Sequence, residues 1–213
     1  MFWKFRRPFK HKIIDRYCPA NKSFSLLDIG CWKFSPLEFK KSFPGCQYYG
    51  LDMQPVDEAS RQLMEYFYLI DLSNDKLDEI PDNFFDIIVL SHVIEHLHNG
   101  QEIIKRLLNK VTPGGLIYIE YPSVRSLSLP SRPDTLNFCD DETHVSLYSL
   151  KELGNLFLNS GFKVIKAGPR RDIYRIITMP STIIWQLLRY RTFYSYILWD
   201  TMSFAEYILA RKK

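Results

Sequence analysis

Leu26-Leu27-Asp28-Ile29-Gly30-Cys31, Ser35-Pro36-Leu37-Glu38 and Tyr48-Tyr49-Gly50-Leu51-Asp52-Met53 fall within residues 26–53 and decide the fold. A short apolar run reaches an acid and a glycine, a helix start follows, and a second apolar run ends on another acid. This pattern predicts a strand–turn–helix–strand unit. Its turn presents backbone N–H groups to a nucleotide, and its second acid accepts from ribose hydroxyls. Gly30 and Asp52 stand about 20 residues apart, as that geometry needs. Ser35 as N-cap, Pro36 in the first turn and Glu38 three residues on predict a capping box.

Outward from this unit, strand-like runs recur at residues 25–29, 47–51, 66–70, 85–90, 116–121 and 162–167. Helical patterns separate several of them. Ile103, Ile104, Leu107 and Leu108 form one stripe over residues 101–110, which Thr112-Pro113-Gly114-Gly115 terminates. Leu150, Leu153, Leu156 and Phe157 form another over 150–160, with Gly161 as a C-terminal stop. Strand alternating with helix predicts an α/β fold: a doubly wound, mostly parallel sheet with helices on both faces. Residues 203–213 (Phe204, Tyr207, Ile208, Leu209) read as a last strand. The organisation is therefore a basic, aromatic N-terminal helical segment (1–23), a core (24–169), a helical insertion (170–202) and the last strand of the core sheet (203–213).

The chain has 213 residues, enough for one well-buried α/β domain, and its 46% hydrophobic and 15% aromatic content excludes a disordered chain. Net charge is +4, with the excess at the two ends. Lys4, Arg6, Arg7, Lys10 and Lys12 open the chain and Arg211, Lys212 and Lys213 close it. Such ends are solvated surface, or meet phosphate or anionic lipid. Cys18, Cys31, Cys46 and Cys139 lack C-x-x-C spacing, which argues against a zinc site. Charge interrupts Phe2, Trp3 and Phe5 at once, so no secretory apolar run is expected. Residues 176–188 contain Pro180 and are too short to span a bilayer. A cytoplasmic, reduced protein is expected, with possible peripheral contact to membranes.

Leu27-Asp28-Ile29-Gly30-Cys31, Gly50-Leu51-Asp52, the run Phe85-Asp86-Ile87-Ile88-Val89-Leu90-Ser91-His92-Val93-Ile94-Glu95-His96-Leu97, and Pro113-Gly114-Gly115 occur in that order. Together they resemble the class I S-adenosylmethionine-dependent methyltransferases of small-molecule type, over residues 24–168. The resemblance implies a seven-stranded Rossmann-like sheet with an antiparallel last strand and S-adenosylmethionine at the carboxyl ends of the first strands. It implies that Asp28 and Gly30, with Cys31, face the methionine part and that Asp52 takes the ribose hydroxyls. Met53 would pack on the adenine, Asp71 would accept from its amino group, and the Leu72 amide would donate to the ring. Ser91 and His92 would end the fourth strand at the ligand edge. The chain departs from the family in one place: Trp32 stands where a second glycine is usual, so the turn is expected to be reshaped with the indole lining or roofing the methionine end.

The expected reaction is methylation of a small molecule such as a sugar, a lipid-linked intermediate or a quinone-like precursor. O-methylation needs a base, and His144, on a polar loop after the fifth strand, and His96 are the candidates. His92 and His96, four apart, are expected to share a helical face, and His11 and His98 to lie at the surface. Glu95, His96 and His144 also resemble the ligand sets of family members that need a divalent ion, although no metal is assigned. The fourth strand runs into Ser91-His92 rather than an Asn-Pro-Pro-Tyr-type motif, so no nucleic acid is expected as acceptor. A fold-retaining binding or scaffold protein without turnover is the alternative. A nicotinamide-dependent oxidoreductase is disfavoured because Gly30-Cys31-Trp32 breaks its glycine pattern. In the insertion a helix is expected over 182–199. Trp185, Tyr190, Tyr194 and Trp199 with Arg189 and Arg191 suit a lid, a dimer contact, packing on the sheet, or a membrane-interface helix through 180–200.

Overall fold

The computed structural model describes residues 7–18, 23–74 and 77–213. The aromatic and basic residues 2–6 of the opening segment lie outside the described residues. In chain order the first half contains α1 (Phe9–Ile14), β1 (Phe24–Ile29), α2 (Ser35–Ser42), β2 (Cys46–Asp52), α3 (Glu58–Arg61), β3 (Tyr66–Leu69) and β4 (Phe85–Ser91). The second half contains α4 (Gly100–Lys110), β5 (Val111–Pro122), α5 (Leu150–Asn159), β6 (Phe162–Pro169), α6 (Ile173–Tyr190), α7 (Trp199–Met202) and β7 (Ala205–Lys212).

Seven strands form one sheet in the order β3-β2-β1-β4-β5-β7-β6. β7 runs antiparallel to β5 and β6, and the other pairs are parallel. Period-two alternation gives the sheet two apolar faces. Leu27, Ile29, Ile88, Leu90, Ile117 and Ile119 meet Ile103, Ile104 and Leu107 of α4 and Leu153 and Phe157 of α5. Their neighbours Leu26, Ile87, Val89, Leu116 and Tyr118 point the other way, onto Ile13 and Ile14 of α1 and Phe39 and Phe43 of α2. A one-residue slip of any central strand would exchange these sets, so register is strongly specified. Strand order reverses between β1 and β4, and a crevice opens beyond their carboxyl ends.

Several local expectations are corrected. Ser35 does not cap α2: Phe34 holds that position without a side-chain bond, and the Ser35 hydroxyl donates to Asp28 instead. Pro113-Gly114-Gly115 is not a helix stop but part of β5, where Gly114 takes φ +78 beside a register shift between Phe85 and Ile87. His11 is fully buried rather than at the surface. Its ring centroid lies 4.1 Å from that of Phe39, its Nδ1 is 2.8 Å from Ser42 Oγ, and burial holds its pKa well below the ordinary value. His98 is exposed, as expected.

The insertion also differs. α6 starts at Ile173, where Asp172 accepts from the Tyr174 N–H at 3.1 Å, and ends at Tyr190, where Arg191 turns left-handed. Residues 191–198 are therefore not helical in the α sense. Gln186 is the one fully buried residue of this helix, and Ile176, Met179 and Ile183 are half-buried. No described helix is long and apolar enough to cross a membrane.

Candidate active site

The turn after β1 is built from backbone. Gly30 sits at φ +69, and a Cβ there would stand 2.6 Å from Val93 Cγ2. The N–H groups of Gly30 and Cys31 donate to the Leu51 carbonyl at 2.8 and 3.3 Å, tying the turn to β2. Trp32 also takes a positive φ, 35°, a region costly for a residue with a side chain. Its N–H donates to Asp52 Oδ2 at 3.1 Å while the Gln54 N–H donates to Oδ1 at 3.0 Å. Two backbone donors thus orient one carboxylate, and each oxygen keeps accepting capacity for a diol. The Trp32 side chain is 64% exposed and stands edge-on to Phe34, so within the turn itself Trp32 is tied in through its backbone.

Of the expected cofactor residues, Gly30, Asp52, Met53, Asp71, Leu72 and His92 line one cleft of about 200 Å³. Leu51, Ile70, Val93 and Leu97 give it apolar walls, and His96 shares it. Asp71 is both wall and turn cap. It accepts from the Ser73 N–H and hydroxyl at 2.9 and 2.5 Å and from Asn74 Nδ2 at 2.9 Å, and the Ser73 bonds hold its pKa below the ordinary value. An oriented diol acceptor, an exposed thioether and a second fixed acid across apolar walls fit an adenosyl group.

Four expected residues lie outside that cleft. Asp28 is buried, accepting from Tyr48 Oη at 2.7 Å and from the Ser35 hydroxyl, with Lys10 Nζ 4.0 Å away. Cys31 is buried under Gly50, and desolvation with the nearby Asp28 and Asp52 charges pushes its thiol up to about 12. Trp32 faces solvent. Ser91 belongs to a second pocket of about 150 Å³, which it lines with Lys10, His92, Glu120, Arg170 and Arg175.

His92 lines both pockets. It takes φ 56, and its N–H donates to the Glu120 carbonyl at 2.8 Å. The ring lies between acids, with Nδ1 3.1 Å from Glu95 Oε1 and Nε2 3.3 Å from Glu120 Oε1. Burial opposes its charge, but the bonds and charges of Glu120 and Glu95 outweigh it, and the pKa rises to about 9. The two acids thus favour the imidazolium form of His92. The expectation that it shares a helical face with His96 fails, because the left-handed His92 precedes a short 3₁₀ turn, Ile94–His96.

A buried ion network that the motifs did not point to supports this pocket. Arg170 donates through Nε and Nη2 to Asp200 at 3.0 and 2.8 Å, and through Nη1 to Glu120 at 3.0 Å. Tyr118 Oη donates to the other Glu120 oxygen at 2.5 Å. Burial works against the Glu120 charge, yet Arg170 and His92 hold its carboxyl well below the carboxylate range. The sequence signal was a lone glutamate within the apolar run 116–121 of a strand buried on both faces.

The two candidate bases do meet. The His96 and His144 ring centroids are 4.9 Å apart. His144 Nδ1 is 2.8 Å from the Phe138 carbonyl, and His96 Nδ1 is 3.2 Å from the Thr143 carbonyl. A carbonyl only accepts, so the His144 Nδ1 donates to it, whereas His96 Nδ1 also meets the Thr143 hydroxyl at 2.9 Å. The N–H groups of Val145 and Ser146 donate to the Glu95 carbonyl at 2.9 and 3.0 Å, holding the two segments together. The loop bearing His144 is well tied: Asp140 accepts from the Ser131 hydroxyl and from the Arg132, Leu136 and Asn137 N–H groups at 2.6–3.0 Å. Glu95 Oε2 is buried without a hydrogen-bond partner. One ligand atom each from Glu95, His96 and His144 lies within 4.8 Å of the others, a donor set that fits a divalent cation.

The pattern of a family described as a methyltransferase domain matches residues 2–167. No curated protein matches the chain. Among solved structures, a SAM-dependent methyltransferase from Archaeoglobus fulgidus is 22% identical, with 98% of this chain and 96% of that one covered and a TM-score of 0.60. A phosphoethanolamine N-methyltransferase 2 from Haemonchus contortus, solved with S-adenosyl-L-methionine, is 16% identical, covering 94% of this chain and 51% of that one at a TM-score of 0.65. An S-adenosylmethionine-dependent methyltransferase from Mesorhizobium loti is 12% identical, covering 98% and 100% at a TM-score of 0.64. These likenesses share the seven-stranded fold, and the family pattern spans most of the chain. This chain belongs to the methyltransferase-domain family, as a class I enzyme with S-adenosylmethionine as its cofactor.

Proposed function

We propose that the enzyme methylates a hydroxyl of a small-molecule acceptor, of the sugar, lipid-linked or quinone-like kind, with the His96–His144 pair taking the proton. When bound, S-adenosylmethionine supplies an activated methyl on a sulfonium, so the protein must align the acceptor and remove its proton. Asp52 orients the ribose through two fixed oxygens. His92 and the Glu120–Arg170–Asp200 network give the neighbouring pocket a fixed shape, and Lys10 and Arg175 give it a positive edge. His96 lines the adenosyl cleft with the His144 ring beside it, where an acceptor hydroxyl proton can be received.

The observation that carries this reading is the meeting of the His96 and His144 rings, 4.9 Å apart, with His96 lining the cleft and each Nδ1 within hydrogen-bond reach of a backbone carbonyl. The test measures release of the demethylated cofactor product over a panel of hydroxylated acceptors. His144→Ala is expected to lower kcat by about 10²–10⁴-fold with cofactor affinity within about twofold of wild type. Retained turnover in that variant would remove the base from the mechanism.

A second reading rests on the unpartnered Glu95 Oε2: Glu95, His96 and His144 would hold a divalent ion, which would acidify an acceptor hydroxyl. Calorimetry with Mn²⁺ or Mg²⁺ separates the two readings. Binding lost in His144→Ala, with turnover abolished by a chelator, favours the ion; turnover untouched by the chelator favours the free base.

A further inference from the structure

We infer that α6 is an interfacial helix that lies in the plane of an anionic lipid bilayer. The helix leaves an apolar stripe uncovered, while Ile176, Met179 and Ile183 on its inward side are half-buried. Its one buried residue is polar: Gln186 donates through Nε2 to Tyr196 Oη at 3.0 Å and accepts from the Tyr194 N–H at 2.9 Å. The opposite face carries Ile173, Ile177, Ile184 and Leu188 at spacings that share one stripe, and they are 63, 72, 59 and 76% exposed. An ordinary surface helix points such residues inward. Trp185 and Tyr190 of the helix are exposed, as are Tyr194 and Tyr196 in the segment that follows it, and amphipathic rings of this kind concentrate at the headgroup level of membranes.

The charge pattern selects the occupant. Between residues 173 and 199 there is no Asp or Glu, whereas Arg175, Arg189 and Arg191 are all present. No ion pair to any of these three is found among the described residues. Two copies meeting through this face would bring arginines together without a partner acid, which is unfavourable; an anionic surface neutralises them. No described helix is long and apolar enough to cross a bilayer, which leaves the in-plane arrangement.

The root of the helix is rigid and adjoins the acceptor pocket. Asp172, its N-cap, accepts from the Asp172-facing Lys12 Nζ at 2.6 and 2.8 Å, and its own N–H donates to Asp200 at 2.9 Å. Arg175 in the first turn lines the pocket with His92 and Arg170. Docking α6 therefore sets the acceptor pocket at the lipid surface, where an amphiphilic acceptor is concentrated. Vesicle binding needs no turnover, so this inference stands or falls apart from the proposed reaction.

The experiment is co-sedimentation of the full chain with phosphatidylcholine vesicles with and without 30–40% phosphatidylglycerol (about one anionic lipid in three, the regime of juxtamembrane electrostatics). Binding is expected to the anionic vesicles, to fall about tenfold or more in Ile184→Asp/Leu188→Asp, and to weaken with added salt. Both positions are exposed, and unchanged circular dichroism and cofactor binding would show that the variant is folded. Wild-type protein remaining in the supernatant with anionic vesicles would overturn the inference. So would a dimer in light scattering that the same double variant dissociates, which would assign the face to a second copy.

Discussion

The cleft around Asp52 and the neighbouring pocket around Arg170 meet at His92 but are built in opposite ways. The cleft is made by strand ends and a turn close in sequence, and its chief polar group, Asp52, is oriented by backbone N–H groups at positions 32 and 54. The pocket is made by charges from distant segments: Arg170 reaches Glu120 across 50 residues and Asp200 across 30. A site held by backbone tolerates side-chain change in the turn, as Trp32 shows. A site held by a buried ion network depends on every member, because removing one leaves the others charged and desolvated.

That contrast can be broken most forcefully at Arg170. Arg170→Met leaves Glu120 and Asp200 buried without their cation and is expected to cost about 3–5 kcal/mol, read as a fall of several degrees or more in Tm. The folded fraction should still bind S-adenosylhomocysteine through the other cleft. A negligible change in Tm would show that the network is not what holds the pocket.

A smaller effect is expected from pH. The folded pKa of His92, about 9, lies above its ordinary 6.5. Its contribution to stability is thus fully present below about pH 6.5 and lost as pH rises through about 9. The linked loss is at most about 3 kcal/mol, measured by urea unfolding from pH 6 to 10, and His92→Gln should flatten that part of the profile. A profile unaffected by the substitution would place the charge elsewhere.

Trp32→Gly should do least. It relieves a positive φ in a residue with a side chain but adds freedom to the unfolded chain, so stability should move by less than about 1 kcal/mol. Affinity for S-adenosylhomocysteine should stay within about threefold of wild type, because the N–H bond to Asp52 survives. A large loss would mean that the indole, not the backbone, contacts the cofactor.

The difference in construction also explains what was legible in the sequence. Residues 26–53 disclosed the strand–turn–helix–strand unit because its signals are local: an apolar run, a glycine and an acid at the right spacing. The short apolar runs at residues 85–90 and 116–121 disclosed the sheet for the same reason. His96 and His144 could be named singly, but only the folded chain shows their Nδ1 atoms held by carbonyls. Asp28 was legible as an acid at a strand end, but not its burial or its bonds from Tyr48 and Ser35, which depend on the folded chain. Arg170 and Asp200 were not legible as partners, since nothing local marks a pair closed by tertiary structure. In the insertion, composition revealed a helix but not its ends, which depend on the Asp172 cap and the left-handed Arg191.

The account rests most directly on Asp52, and calorimetric titration of S-adenosylhomocysteine into wild type, Asp52→Ala and His144→Ala tests it. One site per chain is expected in wild type, at least about tenfold weaker in Asp52→Ala, where charge-assisted bonds to the ribose are lost, and nearly unchanged in His144→Ala. Folded wild type that binds nothing, or Asp52→Ala that binds as tightly as wild type, would contradict it.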